Sequence, residues 1–338
     1  MKGLPVIVGA DPKGGKGRGV VVSASYEARR VGVHAGQPIS LAYRLCPQGV
    51  YLRPRLPFYA KASRRVMDLL RSHADQFEQV SIDEAFLDAT EKAGSYEAAQ
   101  ELAVRIKADV SLREGLTVSI GIAPNKSAAK IASDLHKPDG LTIVEPSRVK
   151  EFLAPLPVSV ITGVGKKSER VLKSLGIETI GQLQSVPGKE LVKHFGKGGV
   201  WLWGVAHGLE QLEVRERTSV KSLSVEHTFE EDVGDRVVVH AKMSELAAEL
   251  HRRIVAANVT FRTVGIRVRF TGFETFLRQR SLASPTDERG VLLHEAQTLF
   301  QEFERGDRKI RLIGVRVSEL RGVDLQPSRL DAWISQKR

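Results

Sequence analysis

The chain has 338 residues, with 51 Lys and Arg against 40 Asp and Glu and a net charge of +11; at roughly 100–200 residues per domain this length holds two to four domains. Hydrophobic residues at 42% and charged residues at 27% describe an ordinary folded protein, and the longest apolar runs fall short of the ~18 residues of a membrane-spanning helix. A single cysteine, Cys46, excludes an internal disulfide and a thiolate zinc site. The N-terminal apolar stretch is too short for a signal-peptide core and has no cleavage site, so a reducing cytoplasm is expected and no membrane association. The positive charge recurs along the chain, as an extended channel for a polyanion requires.

Residues 4–9 read as a short buried strand, followed by a Gly- and Lys-rich loop and a second strand over 19–25, together a hairpin. The loop is not a phosphate loop: the required first glycine is Ala10, and Gly17 stands where Ser or Thr should follow Lys16. Ser25 caps a helix that begins at Tyr26, and Pro38 starts another that runs through Cys46. Residues 57–74 form a basic amphipathic helix. Residues 77–90 read as two strands meeting near Asp83, and a helix covers about 95–113. The period-two alternation of 117–123 predicts a strand, 125–137 a helix, and 141–144 a strand after the turn Pro138-Asp139-Gly140. This mixture, hairpin included, favours α+β over a purely parallel sheet. From 147 to 210 the chain is glycine-rich and made of short helices. A charged stretch at 213–222 looks like a linker. Beyond it, a strand–helix–strand–strand–helix–strand pattern predicts a ferredoxin-like half-open sandwich ending near 320, and the tail past 322 reads as a loose end.

Asp83 and Glu84 stand side by side at the predicted strand junction. Like charges repel and Asp forms strands poorly, so a divalent cation would offset a real cost; a solvated turn is the alternative for a bare Asp-Glu pair. Tyr26 and Arg29, three apart, share a helix face. An aromatic and a guanidinium at a helix N-terminus suit a triphosphate clamp, or an ordinary amphipathic first turn. Lys137, before the Pro-Asp-Gly turn, either reaches a phosphate or offsets the helix dipole. Residues 161–177 read as helix, Gly-rich turn, helix. Gly163 and Gly165 let the turn approach a phosphate, and the helix N-terminus at Lys166 and Lys167 binds it without reading bases; a plain helical hairpin is the other reading.

Four stretches together, 77–88 (FEQVSIDEAFLD), 25–29 (SYEAR), 121–133 (GIAPNKSAAKIAS) and 137–140 (KPDG), resemble the Y-family, lesion-bypass DNA polymerases, most closely the archaeal and bacterial DinB type. The likeness runs from about residue 3 to 322 and is densest between 19 and 165. It implies an α+β, right-hand polymerase: palm and fingers over 1–146, a thumb with a helix-hairpin-helix over 147–212, a linker at 213–221, a little finger over 222–322 and a flexible tail at 323–338. It implies template-directed, low-fidelity translesion synthesis by two-metal nucleotidyl transfer, with two Mg²⁺ ions held by Asp83 and Glu84 as catalytic carboxylates. Tyr26, Arg29 and Lys137 would grip the incoming deoxynucleoside triphosphate, Ser23 would contact a phosphate, and Val20 and Val22 would form a small roof over the templating base. Gly163, Gly165, Lys166 and Lys167 of the thumb and Arg267, Arg269, Arg278 and Arg280 of the little finger would hold primer–template DNA. The stretch from Gln326 to Ile334 loosely resembles a peptide that docks on a sliding clamp, and a monomer is expected. In the family a preceding strand carries a further metal-binding Asp, followed by aromatics that screen out ribonucleotides. The resemblance places that segment before Lys2, and Asp11 lies in the following loop. The chain is therefore expected to be impaired in catalysis, the alternative being a non-catalytic, DNA-binding remnant of such a polymerase.

Overall fold

A computed structural model describes residues 1, 3–210, 212–216 and 220–322. The chain divides into two compact units, one combining residues 1–60 with the stretch from 218 onward, the other taking 61–217.

In the first unit, β1 (Val6–Gly9) lies between β2 (Val21–Ala24), antiparallel to it, and β3 (Val50–Leu52), parallel to it. The hairpin matches the sequence expectation. β3 escaped it, because three residues between a glycine and Arg53-Pro54 are too few to show a period. A bulge follows Val8, and Gly9 is required there: a Cβ would sit 2.6 Å from the Val20 carbonyl oxygen. Helix α1 (Tyr26–Arg30) is capped by Ser25, whose Oγ accepts from the Ala28 N–H at 3.4 Å and from the Val6 N–H at 3.1 Å. One hydroxyl thus fixes α1 to β1. Helix α2 (Ile39–Leu45) buries Ile39 and Ala42 on Ile7, Val21 and Cys46.

The second unit opens with α3 (Leu56–Ser72), whose first residues precede the boundary. The antiparallel hairpin of β4 (Gln76–Gln79) and β5 (Ala85–Asp88) follows, then α4 (Thr90–Ala93) and α5 (Tyr96–Glu114). Ser95 caps α5 at its start, and Gly115 ends it in the left-handed conformation. Next come β6 (Ile120–Ile122), α6 (Lys126–Leu135) and β7 (Leu141–Ile143), with β6 and β7 parallel. Gly121 lets β6 touch the α6 backbone, since a Cβ there would lie 2.1 Å from the Ala129 carbonyl oxygen. Short helices complete the unit: α7 (Val149–Leu153), α8 (Lys166–Ser174), α9 (Ile180–Gln184), α10 (Gly188–Phe195) and α11 (Lys197–Ala206). Their apolar core around Leu172, Ile180, Leu183 and Leu191 also takes in Ala128, Ile131, Ala132 and Val144. Packing therefore runs continuously across residue 146, where the sequence suggests a change of texture.

From 222 the first unit resumes with β8 (Ser222–Val233), α12 (Arg236–Ala256), β9 (Val259–Phe270), β10 (Thr275–Thr286), α13 (Arg289–Phe300), β11 (Ile310–Ser318) and β12 (Arg321–Gly322). The element order is the one read from the sequence. The antiparallel sheet runs β10-β9-β11-β8, with β12 against β9. Val264, Ile266, Val268, Ile313 and Val315 pack with Met243, Leu250, Leu292 and Phe300 of α12 and α13, so both helices cover one face. The clamp-like stretch at Gln326–Ile334 lies outside the described residues.

Candidate active site

The turn between β4 and β5 carries Asp83 and Glu84. Its backbone is closed by the Val80 and Ser81 N–H groups, which donate to the Glu84 carbonyl at 3.0 and 3.2 Å. The Ile82 carbonyl accepts from buried Ser63 of α3 at 2.5 Å. Ser81 Oγ donates to Asp83 Oδ1 at 2.7 Å and accepts from the Asp83 N–H at 3.3 Å. Two adjacent carboxylates are thereby held on a stapled turn, Asp83 exposed and Glu84 half-buried. They are hard oxygen donors of the kind Mg²⁺ takes. Among the described residues, no group of three or more His, Cys, Asp and Glu able to hold a metal ion stands together.

Helix α6 supplies the cations of this site. Asn125 caps it, accepting from the Ala128 N–H at 2.9 Å and donating to the Gly208 carbonyl at 3.1 Å. Ala128, Ile131 and Ala132 are buried, which leaves Lys126, Lys130 and Asp134 in one row at i, i+4 and i+8. Lys126 Nζ lies 2.5 Å from Glu78 Oε2 and over the Phe86 ring. Lys130 Nζ lies 2.6 Å from Glu84 Oε1 and 3.0 Å from Asp134 Oδ2. Lys137 Nζ lies 2.6 Å from Asp134 Oδ1. Burial would lower the ammonium pKa of Lys130, but its hydrogen bonds to Glu84 and Asp134 outweigh burial and raise it above the ordinary lysine value. Burial would likewise raise the Asp134 carboxyl, yet Lys137 and Lys130 hold it below the ordinary value. Lys126, Lys130 and Asp134 were not singled out from the sequence: their i, i+4, i+8 spacing is visible there, but only the fold sets it beside Asp83 and Glu84.

Tyr26 and Arg29 belong to the other unit, Lys137 to this one. Tyr26 and Arg29 share a face of α1: the Arg29 guanidinium stacks 5.1 Å from the Tyr26 ring centroid, and its Nε donates to the Ala24 carbonyl at 3.0 Å. Both are exposed, as are Ser23 on β2 and the side chains of Val20 and Val22.

In the helical part, Gly163 has φ +108°, and a Cβ there would meet Trp201 at 3.0 Å. Gly165 is the N-cap of α8, with exposed Lys166 and Lys167 in its first turn. The element before the turn is a single 3-10 turn, Val158–Val160, rather than a full α-helix.

The four arginines of the C-terminal sheet do not share a surface. In register, Arg278 faces Ile266 and Arg280 faces Val264, both of the core face. Arg278 accordingly pairs with Glu302 at 2.6 Å and Arg280 with Glu295 of α13 at 3.1 Å. Arg267 and Arg269 point the other way. Arg267 flanks Gly314 on β11, Arg316 flanks Gly265 on β9, and Arg267 pairs across Gly314 with Glu226 at 2.5 Å. The period-two alternation separates 267 and 269 from neighbours on the same strand, but it cannot say which face of β10 aligns with them. Only the register does, and it adds Arg316 to the open face.

Comparison with known proteins gives a consistent picture. Residues 1–134 match the impB/mucB/samB family, 220–331 its C-terminal domain and 146–177 the IMS family HHH motif. The chain is 48% identical over 335 residues to the DNA polymerase IV of Methanoculleus marisnigri, covering 99% of this chain and 92% of that one. It is 45% identical to DNA polymerase IV 2 of Methanosarcina mazei, covering 96% and 88%. Among solved structures, the chimeric Y-family DNA polymerase Dbh-Dpo4(243-245)-Dbh superposes with a TM-score of 0.85 at 31% identity, over 95% of this chain and 93% of that one. An insertion ternary complex of Dbh DNA polymerase gives 0.66 at 30% identity, with the same coverage.

Proposed function

Because the chain belongs to the Y-family, DinB-type DNA polymerases, and so to the DNA-directed DNA polymerases, we propose that it carries out low-fidelity translesion synthesis with Asp83 and Glu84 as its metal-binding carboxylates. The observation that supports this reading is the stapled β4–β5 turn, which presents two adjacent carboxylates beside a row of lysines. The reaction joins the primer 3′ oxygen to the α-phosphorus of a deoxynucleoside triphosphate and releases pyrophosphate. Two Mg²⁺ ions, when bound, supply Lewis-acid stabilisation of the attacking and leaving oxygens. Asp83 and Glu84 would hold them. Tyr26, Arg29 and Lys137 bind the triphosphate, and the Ser23 hydroxyl contacts a phosphate. Exposed Val20 and Val22 leave the templating base room for bulk.

Primer–template DNA is held through its phosphates. The Gly163–Gly165 turn with Lys166 and Lys167 offers backbone amides and charge, and the open face of the C-terminal sheet offers Arg267, Arg269 and Arg316. In this reading residues 1–146 are palm and fingers, 147–212 thumb and 222–322 little finger. The chain works as a cytoplasmic monomer, and the stretch 326–338 docks on a sliding clamp; loss of clamp capture on deleting 326–338 supports that docking, and retained capture refutes it.

Primer extension with Mg²⁺ by the 338-residue protein and by Glu84→Gln tests the catalytic assignment. Extension at any rate by the first, abolished in the second while primer–template affinity holds, supports it. A DNA-binding protein without polymerase chemistry would bind primer–template in both forms and extend in neither.

A further inference from the structure

The lysine and carboxylate row beside the turn is continuous. Glu84 Oε1 meets Lys130 Nζ at 2.6 Å, Lys130 meets Asp134 Oδ2 at 3.0 Å, and Asp134 Oδ1 meets Lys137 Nζ at 2.6 Å. The charges alternate along it. One end is a carboxylate assigned to metal binding, the other a lysine assigned to the triphosphate. Asp134 is the only member of this row that touches both lysines: Lys130 lies 3.0 Å from Oδ2 and donates to Oδ1 at 3.2 Å, and Lys137 lies 2.6 Å from Oδ1.

We propose that Asp134 is a positioning residue that couples the metal-binding and triphosphate-binding ends of the active site. The inference rests on the roles proposed above for Glu84 and Lys137. Lysine side chains are rich in rotamer freedom, so an ammonium tethered before its ligand arrives loses less on binding. Lys130, only 21% exposed at its side chain, is held by Asp134 and in turn fixes one oxygen of Glu84. Lys137, 42% exposed, would swing freely without Asp134. The buried face of α6, through Ala128, Ile131 and Ala132, makes the helix a rigid bar for both contacts. An asparagine at 134 loses Oδ2 and the negative charge, so both lysines would have to share one neutral oxygen and each would be held more weakly.

The test uses the full chain on a primer–template whose primer ends in a dideoxynucleotide, so that no chemistry intervenes. Mn²⁺ binding is read by electron paramagnetic resonance of the free ion, and nucleotide affinity by fluorescence of a labelled template. Asp134→Asn is expected to weaken both together, each by about three- to tenfold, with primer–template affinity unchanged. Lys137→Met should weaken nucleotide binding and leave Mn²⁺ binding without nucleotide at the wild-type level. If Asp134→Asn lowers the unfolding midpoint, Lys130→Met cuts the same chain at its next link and must weaken Mn²⁺ binding. A change in neither affinity, or in nucleotide affinity alone, overturns the coupling. Glu84→Gln in the same assay separates the two levels: if it abolishes Mn²⁺ binding while Asp134→Asn changes nothing, the coupling alone is wrong. If Glu84→Gln leaves Mn²⁺ binding intact, the metal assignment beneath it is wrong.

Discussion

Lys126 and Lys130 lie one turn apart on α6, and each pairs with a glutamate of the β4–β5 hairpin, at 2.5 and 2.6 Å. The Glu78–Lys126 pair is closed off, with side-chain exposures of 6% and 16%. The Glu84–Lys130 pair opens on one side, with Glu84 42% exposed. A buried pair adds little over an apolar alternative but penalises heavily the loss of one partner. An open pair adds little to the fold and leaves a carboxylate oxygen for a ligand. The same chemistry one turn along thus serves structure in one place and binding in the other. The C-terminal sheet divides its arginines by face instead of by burial, with Arg278 and Arg280 paired to helix-side glutamates and Arg267, Arg269 and Arg316 on the open face, Arg267 itself paired with Glu226.

The largest effect should come from the closed pair. Lys126→Met is expected to cost on the order of 3 kcal/mol in urea unfolding, whereas Lys130→Met costs under about 1 kcal/mol; equal losses would erase the distinction. Next is Asp232, a carboxylate of the first unit held by Arg18 at 2.6 Å, with Thr271 donating to it at 2.8 Å and Arg311 nearby. Burial raises its pKa, but the hydrogen bonds from Thr271 and Arg18 outweigh that and hold the carboxyl below its ordinary 3.8. A carboxylate lowered in the folded state stabilises fully above the unfolded value and loses that contribution as pH falls through the folded one. Asp232→Asn should therefore cost about 1–2 kcal/mol at neutral pH, and the gap to wild type should close in acid melts below about pH 4. A gap independent of pH would contradict the ion pairing.

Smaller effects belong to DNA binding. Arg267→Ala and Arg316→Ala should each reduce the slope of log affinity against log salt by about 0.9. Arg278→Ala and Arg280→Ala should leave that slope unchanged and act on stability instead. Reversed behaviour would put the DNA on the helix side of the sheet. The smallest is Glu226→Gln, which frees Arg267 from its pair and should tighten DNA binding by less than about 1 kcal/mol. Weaker binding would mean that Glu226 orients Arg267 for its phosphate.

Most of the architecture was legible because long elements carry strong periods. The α3 and α5 helices, the Ser25 cap and the element order from β8 to β11 follow from apolar spacing and capping residues. The short β3 was not, since parallel pairing with β1 fixes it from a distance. For the candidate site, Asp83-Glu84 could be seen as an anomaly of charge, but its lysine partners are brought together by the fold, across 46 residues for Glu84 and Lys130. The arginines were legible as residue types, while their faces depended on strand register, which no local pattern encodes.

The central claim is that the open end of the hairpin is a metal-dependent catalytic centre while the closed end only holds it. Single-turnover primer extension by the wild-type chain and by Glu84→Gln, at matched primer–template occupancy and across a Mg²⁺ titration, tests this most directly. The account predicts that extension, whatever its wild-type rate, falls by about 100-fold or more in the variant, with unchanged DNA affinity and an unfolding free energy within about 0.5 kcal/mol of wild type. Mg²⁺-dependent extension that survives Glu84→Gln at the wild-type rate would contradict it.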